Sequence, residues 1–163
     1  MRPYLRLLTS LAAAIIIAAW PSHAHAQGGR PLNVIGRQGL TFGTMWSGQA
    51  SPVSRQDPLR SGQIELRGMR QADVQVTFSL PAALTGPGSS QLPLTFGAND
   101  AGVGTTATIT AATGFDPRLP RVAQFSDNGR LYLFLGGTAH PGVGQTAGAY
   151  TATVTVTVAY TGT

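Results

Sequence analysis

Two short segments carry the residue types of a phosphate-binding loop. GVGTTA (residues 102–107) and GVGQTA (142–147) each match the first half of a dinucleotide fingerprint, whose glycines let a backbone approach a pyrophosphate at a helix N-terminus. Here each opens onto threonine-rich, alternating sequence, so the converging amides and macrodipole of a helix are missing. The glycines read instead as suppliers of positive φ in hairpin turns. Asn99, Asp100, Asp116, Asp127 and Asn128 offer oxygens of the kind calcium takes, but no loop spacing gathers the roughly six to eight ligands it needs. With a single glutamate and scattered aspartates, no paired-carboxylate signature is legible either. His140 stands alone in GGTAHPGVG and reads as a turn residue, with no motif supplying a nucleophile beside it.

The chain contains no cysteine and no lysine. Disulfides, thiolate nucleophiles and thiolate metal sites are therefore excluded, as are Schiff-base chemistry, lysine isopeptide crosslinks and lysine-dependent phosphate loops. The reading is of a non-enzymatic protein with no catalytic residue, no cofactor and no metal. All the basic residues are arginine, and without Arg2 and Arg6 nine arginines face six acids. Arg55, Arg60, Arg67 and Arg70 are interrupted by Asp57 and Glu65. A polyanion stripe would need them concentrated, so they read as a solvated surface and no nucleic-acid partner is expected.

The N-terminal 26 residues, MRPYLRLLTSLAAAIIIAAWPSHAHA, have two arginines, an apolar run from Leu7 to Trp20 and small residues at Ala24 and Ala26. This is the pattern of a secretory signal peptide cleaved after Ala26. The apolar run is shorter than the ~20 residues of a spanning helix, so no membrane span is expected after cleavage. The protein is expected to be exported, to the periplasm, the cell surface or the extracellular space. Residues 27–163 suffice for one domain.

Read for periodicity, that domain is strand after strand. DVQVTFSL puts Val74, Val76, Phe78 and Leu80 on one face and Asp73, Gln75, Thr77 and Ser79 on the other, the mark of a half-buried antiparallel strand. Weaker signals lie at 32–35, 40–46, 63–67, 91–96, 105–110, 129–135 and 149–160, separated by turn makers such as LTGPGSS and FSDNG. Residues 113–126 fit no period and read as a surface connection with one short strand at Val122 to Phe125. The fold expected is an all-β, antiparallel sandwich or barrel of short strands.

LTFGTM (40–45), GQIELRG leading into ADVQVTFSLPAAL (72–84), GRLYLFLGGTA (129–139) and GAYTATVTVTVAY (148–160), in that order, resemble the bacterial exported family known as domain of unknown function 4402. More distantly they are similar to spore-coat-U-like and chaperone-usher pilin domains. The resemblance implies an immunoglobulin-like sandwich of about seven to nine strands, serving as a surface or fimbria-like structural or adhesive subunit. It also implies partners: copies of itself or related subunits, and a periplasmic chaperone. Chaperone-usher pilins close on an alternating strand with a glycine near its start and an aromatic twelve residues later, and Gly148 and Tyr160 have that separation. In such pilins an incomplete sandwich is completed by a strand from another polypeptide. Residues 27–38 are either an N-terminal extension of that kind, with Leu32, Val34 and Gly36 filling acceptor pockets, or the first strand of a closed domain. The pilin disulfide is impossible here, and Thr161 to Thr163 overhang the aromatic. The other class compatible with the sequence is a monomeric secreted or periplasmic binding module, for carbohydrate, with Trp46 or Tyr132 as its aromatic platform.

In the closing strand Tyr150, Ala152, Val154, Val156, Val158 and Tyr160 share one face and threonines the other. Burying each valine contributes ~1.5–3 kcal/mol, whereas the threonine face is β-favouring yet wettable. Val156→Lys should therefore lower the melting temperature by about 10 °C or more, and Thr155→Lys by far less; equal melting temperatures would mean the faces are reversed.

Overall fold

The computed structural model describes residues 11–18 and 30–162. The expected cleavage site after Ala26 and residues 27–29 lie outside the described residues. The chain is an all-β immunoglobulin-like sandwich of two sheets. In chain order the strands are β1 (Leu11–Ala18), β2 (Asn33–Gln38), β3 (Thr41–Met45), β4 (Ser51–Val53), β5 (Gly62–Arg67), β6 (Asp73–Ser79) and β7 (Ala83–Thr85). They continue with β8 (Gln91–Thr95), β9 (Ala101–Gly104), β10 (Thr113–Phe115), β11 (Arg121–Gln124), β12 (Arg130–Leu135), β13 (Gly137–Ala139) and β14 (Tyr150–Tyr160). Two short 3-10 turns, at Pro87–Ser89 and Ile109–Ala111, are the helical elements among the described residues.

One sheet runs β10-β9-β12-β5-β2, and the other runs β11-β6-β14-β7-β8-β13-β4 with β1 and β3 joined at the side of β14. The order β2-β5-β12-β9 is that of immunoglobulin strands A-B-E-D, and β6 beside β14 is that of C beside F. Most of the expected segments reappear as strands with ends shifted by one or two residues. TTATIT (105–110) does not: it is bends and a 3-10 turn, because β9 leaves its neighbour at the Gly104↔Tyr132 pair. The strand before it, β9, lies where the sequence reads as a turn. The surface connection at 113–126 holds two short strands, β10 and β11, the second close to the one expected there.

The glycines of the two GVG segments also differ from expectation. Among the described glycines positive φ is confined to Gly43, Gly48, Gly88, Gly129 and Gly148, so neither GVG segment supplies it. Gly102 sits in β9 where the Arg55 side chain crosses, and a Cβ there would lie 3.2 Å from Arg55 Nη1. Arg55 Nε donates to the Asn99 carbonyl at 3.1 Å, so this glycine makes room for a side chain rather than for a turn.

Alternation builds the core. β6 buries Val74, Val76 and Phe78 and exposes the residues between them. Facing them are Ile64 and Leu66 of β5 and Leu131, Leu133 and Leu135 of β12, while Val154, Val156 and Val158 of β14 lie beside them in the same sheet. Tyr150 is fully buried, and its hydroxyl is satisfied: Gln145 Nε2 donates to it at 2.6 Å, the Thr146 carbonyl lies 2.8 Å away and Ser90 Oγ 2.9 Å away. Gly86 packs against this ring so closely that a Cβ would overlap it. Tyr150→Phe leaves three polar groups short of a partner and should cost about 1–3 kcal/mol, read as a lower denaturation midpoint at unchanged m-value; an unchanged midpoint would show that the network contributes nothing to stability.

Candidate functional site

Two places have unusual geometry: the edge of the closing strand away from β6, and a charged cluster on the opposite sheet. At the first, β14 pairs antiparallel with β6 from Thr155↔Ser79 to Tyr160↔Val74 and with β7 at Thr151↔Thr85. Its other edge is taken by β1, in parallel register from Ala13↔Tyr150 to Ala18↔Thr155. On its far side β1 pairs antiparallel with β3, from Leu11↔Met45 to Ala14↔Thr41. Among the described residues β1 is the only strand that pairs with β3. β3 is nonetheless anchored, because Leu40, Phe42 and Met45 are buried in the core. The two flanking strands are thus set about two strand spacings, ~10 Å, apart, with β1 in the position of immunoglobulin strand G. It runs parallel to its neighbour there, where an immunoglobulin sheet is antiparallel.

The sequence-derived assembly residues divide between the two sheets. Val154, Val156 and Val158 point into the core beside this position. Gly148 precedes it with φ +149, and a Cβ there would overlap Pro87. Tyr160 ends the strand: its hydroxyl accepts from the Met69 amide at 2.7 Å and donates to the Arg30 carbonyl at 2.8 Å, while its ring lies 6.4 Å from that of Phe125. Leu32, Val34 and Gly36 are elsewhere. Val34 and Gly36 belong to β2, the edge strand of the other sheet, where Val34 pairs with Leu66 and Gly36 with Ile64 of β5; Leu32 directly precedes it, and Leu32 and Val34 pack on the core. Of the two aromatic platforms, Trp46 is 64% exposed after β3 and Tyr132 lies on β12; the fold does not bring them together. His140 is an exposed residue whose Nε2 lies 2.8 Å from Thr95 Oγ1.

The second place centres on Glu65, which sequence reading passes over. Its side chain is 3% exposed, yet three arginines surround it at 43–49% exposure. Arg67 Nε donates to Oε1 at 2.7 Å, Arg37 donates through Nε at 2.9 Å and through Nη2 to Oε2, and Arg130 Nη1 lies 3.8 Å from Oε1. Each arginine comes from a different strand. Arg37 lies where the β2–β5 register slips between Gly36 and Gln38, a bulge in the edge strand. Gln63, Tyr132 and Phe134 share this face, and with Ala107 they line a recess of about 340 Å³. Period two along QIELR places Gln63, Glu65 and Arg67 on one face; Arg37 and Arg130 lie far away in sequence and only sheet pairing delivers them.

Hydrogen bonding from Arg67, opposed by burial and reinforced by Arg37, holds the Glu65 carboxyl down at about 2. Among the described residues no three acidic or histidine side chains gather in a metal-binding group, and no helix is long and apolar enough to cross a membrane. No family model matches the chain, and no curated protein matches it in sequence.

Because the folded-state value lies below the ordinary carboxylate value, Glu65 stabilises the fold above about pH 4.5 and loses that contribution as pH falls toward 2. Glu65→Gln should therefore be less stable than the natural protein by about 1–2 kcal/mol at pH 7, given half-exposed arginines. The gap should close between pH 5 and pH 2 in denaturant titrations; a gap constant across that range would contradict the assignment.

Proposed function

We propose that the chain is the precursor of an exported, non-enzymatic surface or fimbria-like structural or adhesive subunit, whose sandwich is completed by β-strand addition from another polypeptide. The observation that carries this reading is the position of β1. It supplies the only strand partner of β3 and covers one edge of β14 among the described residues, and it lies inside the segment that reads as a cleaved leader. Removal of that leader leaves a strand-wide slot between an anchored β3 and the closing strand. Unpaired backbone along both walls would be costly or sticky, so another strand takes the place.

The pilin-like spacing of Gly148 and Tyr160 at the ends of β14 supports the same reading. Related subunits or further copies of the chain, and a periplasmic chaperone before them, are the partners this resemblance implies. The segment Asn33 to Gly36 is already paired with β5, so in this proposal the donor strand comes from elsewhere than the subunit's own first strand. The competing reading, a monomeric binding module, requires the domain to be stable with the slot empty.

Residues 27–163, produced without the leader, should be oligomeric or melt well below the full chain. A peptide carrying LAAAIIIA between solubilising lysines should raise the melting temperature by about 5–10 °C and slow amide exchange along Thr41–Met45 and Tyr150–Thr155. A 27–163 monomer that melts like the full chain and ignores the peptide would refute strand addition.

A further inference from the structure

We propose that the recess over Glu65 binds a carboxylated sugar, a hexuronate or a short chain of them, on the outer face of the five-stranded sheet. This site lies in the sheet opposite the slot, and its function does not depend on strand addition.

Charge is the first argument. Three guanidiniums converge on one carboxylate, so the cluster keeps a surplus of positive charge. Glu65 engages Nε of Arg67, Nε and Nη2 of Arg37 and, more distantly, Nη1 of Arg130. Nε and Nη2 of Arg130, which lines the recess together with Arg37, make no hydrogen bond to the described residues and lie on a side chain nearly half exposed. Glu65 thus acts as a positioning residue: buried and fully engaged, it orders the arginines while leaving planar N–H edges for a second carboxylate.

The geometry selects among anions. A phosphate or sulfate site would ordinarily add converging backbone amides, but the amides of β5 belong to ladders with β2 and β12 on either side. What surrounds the arginines suits a polyol ring instead. Tyr132 offers a half-buried aromatic face, and its hydroxyl is 3.5 Å from Arg130 Nη1. The Gln63 amide donates to the Pro58 carbonyl at 3.1 Å, which leaves its oxygen free to accept from a hydroxyl. A volume of about 340 Å³ sits at the small end of ligand sites and fits a single sugar ring at a time.

The test is a titration of the isotope-labelled protein with trigalacturonate, with its neutral methyl ester, with triglutamate and with inorganic phosphate, followed by amide and arginine Nε–H shifts. Trigalacturonate should shift β2, β5 and β12 with a Kd of about 0.1–1 mM, and the ester should bind about tenfold more weakly or not at all. Arg130→Gln, which removes a 3.8 Å ion pair and a 3.5 Å contact with the Tyr132 hydroxyl, both on the surface, should weaken trigalacturonate about tenfold with a melting temperature changed by no more than a degree or two. Tyr132→Leu should weaken it while leaving triglutamate contacts as they were. Absence of shifts, shifts confined to the Trp46 loop, equal affinity for the ester, or triglutamate or phosphate binding as tightly as trigalacturonate would each overturn the proposal. Uptake of the strand peptide into the slot, measured on the same Arg130→Gln protein, should be normal, so failure of one reading is distinguishable from failure of the other.

Discussion

Both edges of the closing strand have to be paired, and the sandwich is arranged around that constraint. β14 buries Tyr150, Val154, Val156 and Val158 on one face, which places it over the core rather than at a solvated margin. An eleven-residue strand in that position has backbone donors and acceptors on two sides, and neither row can be left bare beside an apolar core without cost. β6 and β7 succeed one another along one edge; β1 lies along the other. The anchoring of β3 by Leu40, Phe42 and Met45 then turns the second edge into a slot of fixed width. Strand addition follows from this arrangement as a proposal about where the missing partner originates once a leader is removed.

The second organising interaction is electrostatic and occupies the other sheet. A carboxylate buried among strands is tolerable only when cations and hydrogen bonds replace its water, and Glu65 draws one arginine from each of three adjacent strands. Arg37 sits at the slip in the β2–β5 register, and its guanidinium reaches the carboxylate from there. The two sheets thus carry different features: in one, β1 lies between β14 and β3, and in the other, ordered guanidinium groups face solvent.

How far these features were legible follows from the range of the forces involved. The alternation in DVQVTFS and in YTATVTVTV is a local consequence of one buried face, and both segments are strands in the register the pattern implies. Assignments that failed did so where local composition competes with pairing. TTATIT has strand-like residues but no neighbour to bond with, whereas AGVG is poor in strand formers and is nonetheless a strand, because β12 and β10 flank it. The glycines of GVGTTA read as positive-φ turn residues and are not; that Gly102 clears a path for Arg55 required knowledge of what crosses above it.

By itself the sequence determined the class of architecture, the faces of the principal strands and the chemistry that is absent, since period two, turn residues and the lack of cysteine and lysine are properties of single positions and near neighbours. Only the tertiary structure decided that Asn33 to Gly36 pairs with β5, that β1 lies between β14 and an anchored β3, and that Arg37, Arg67 and Arg130 meet over Glu65. Each of these is a contact between residues far apart in the chain. Strand order and register create such contacts, and those are set by the burial of the whole core together rather than by any one segment of it.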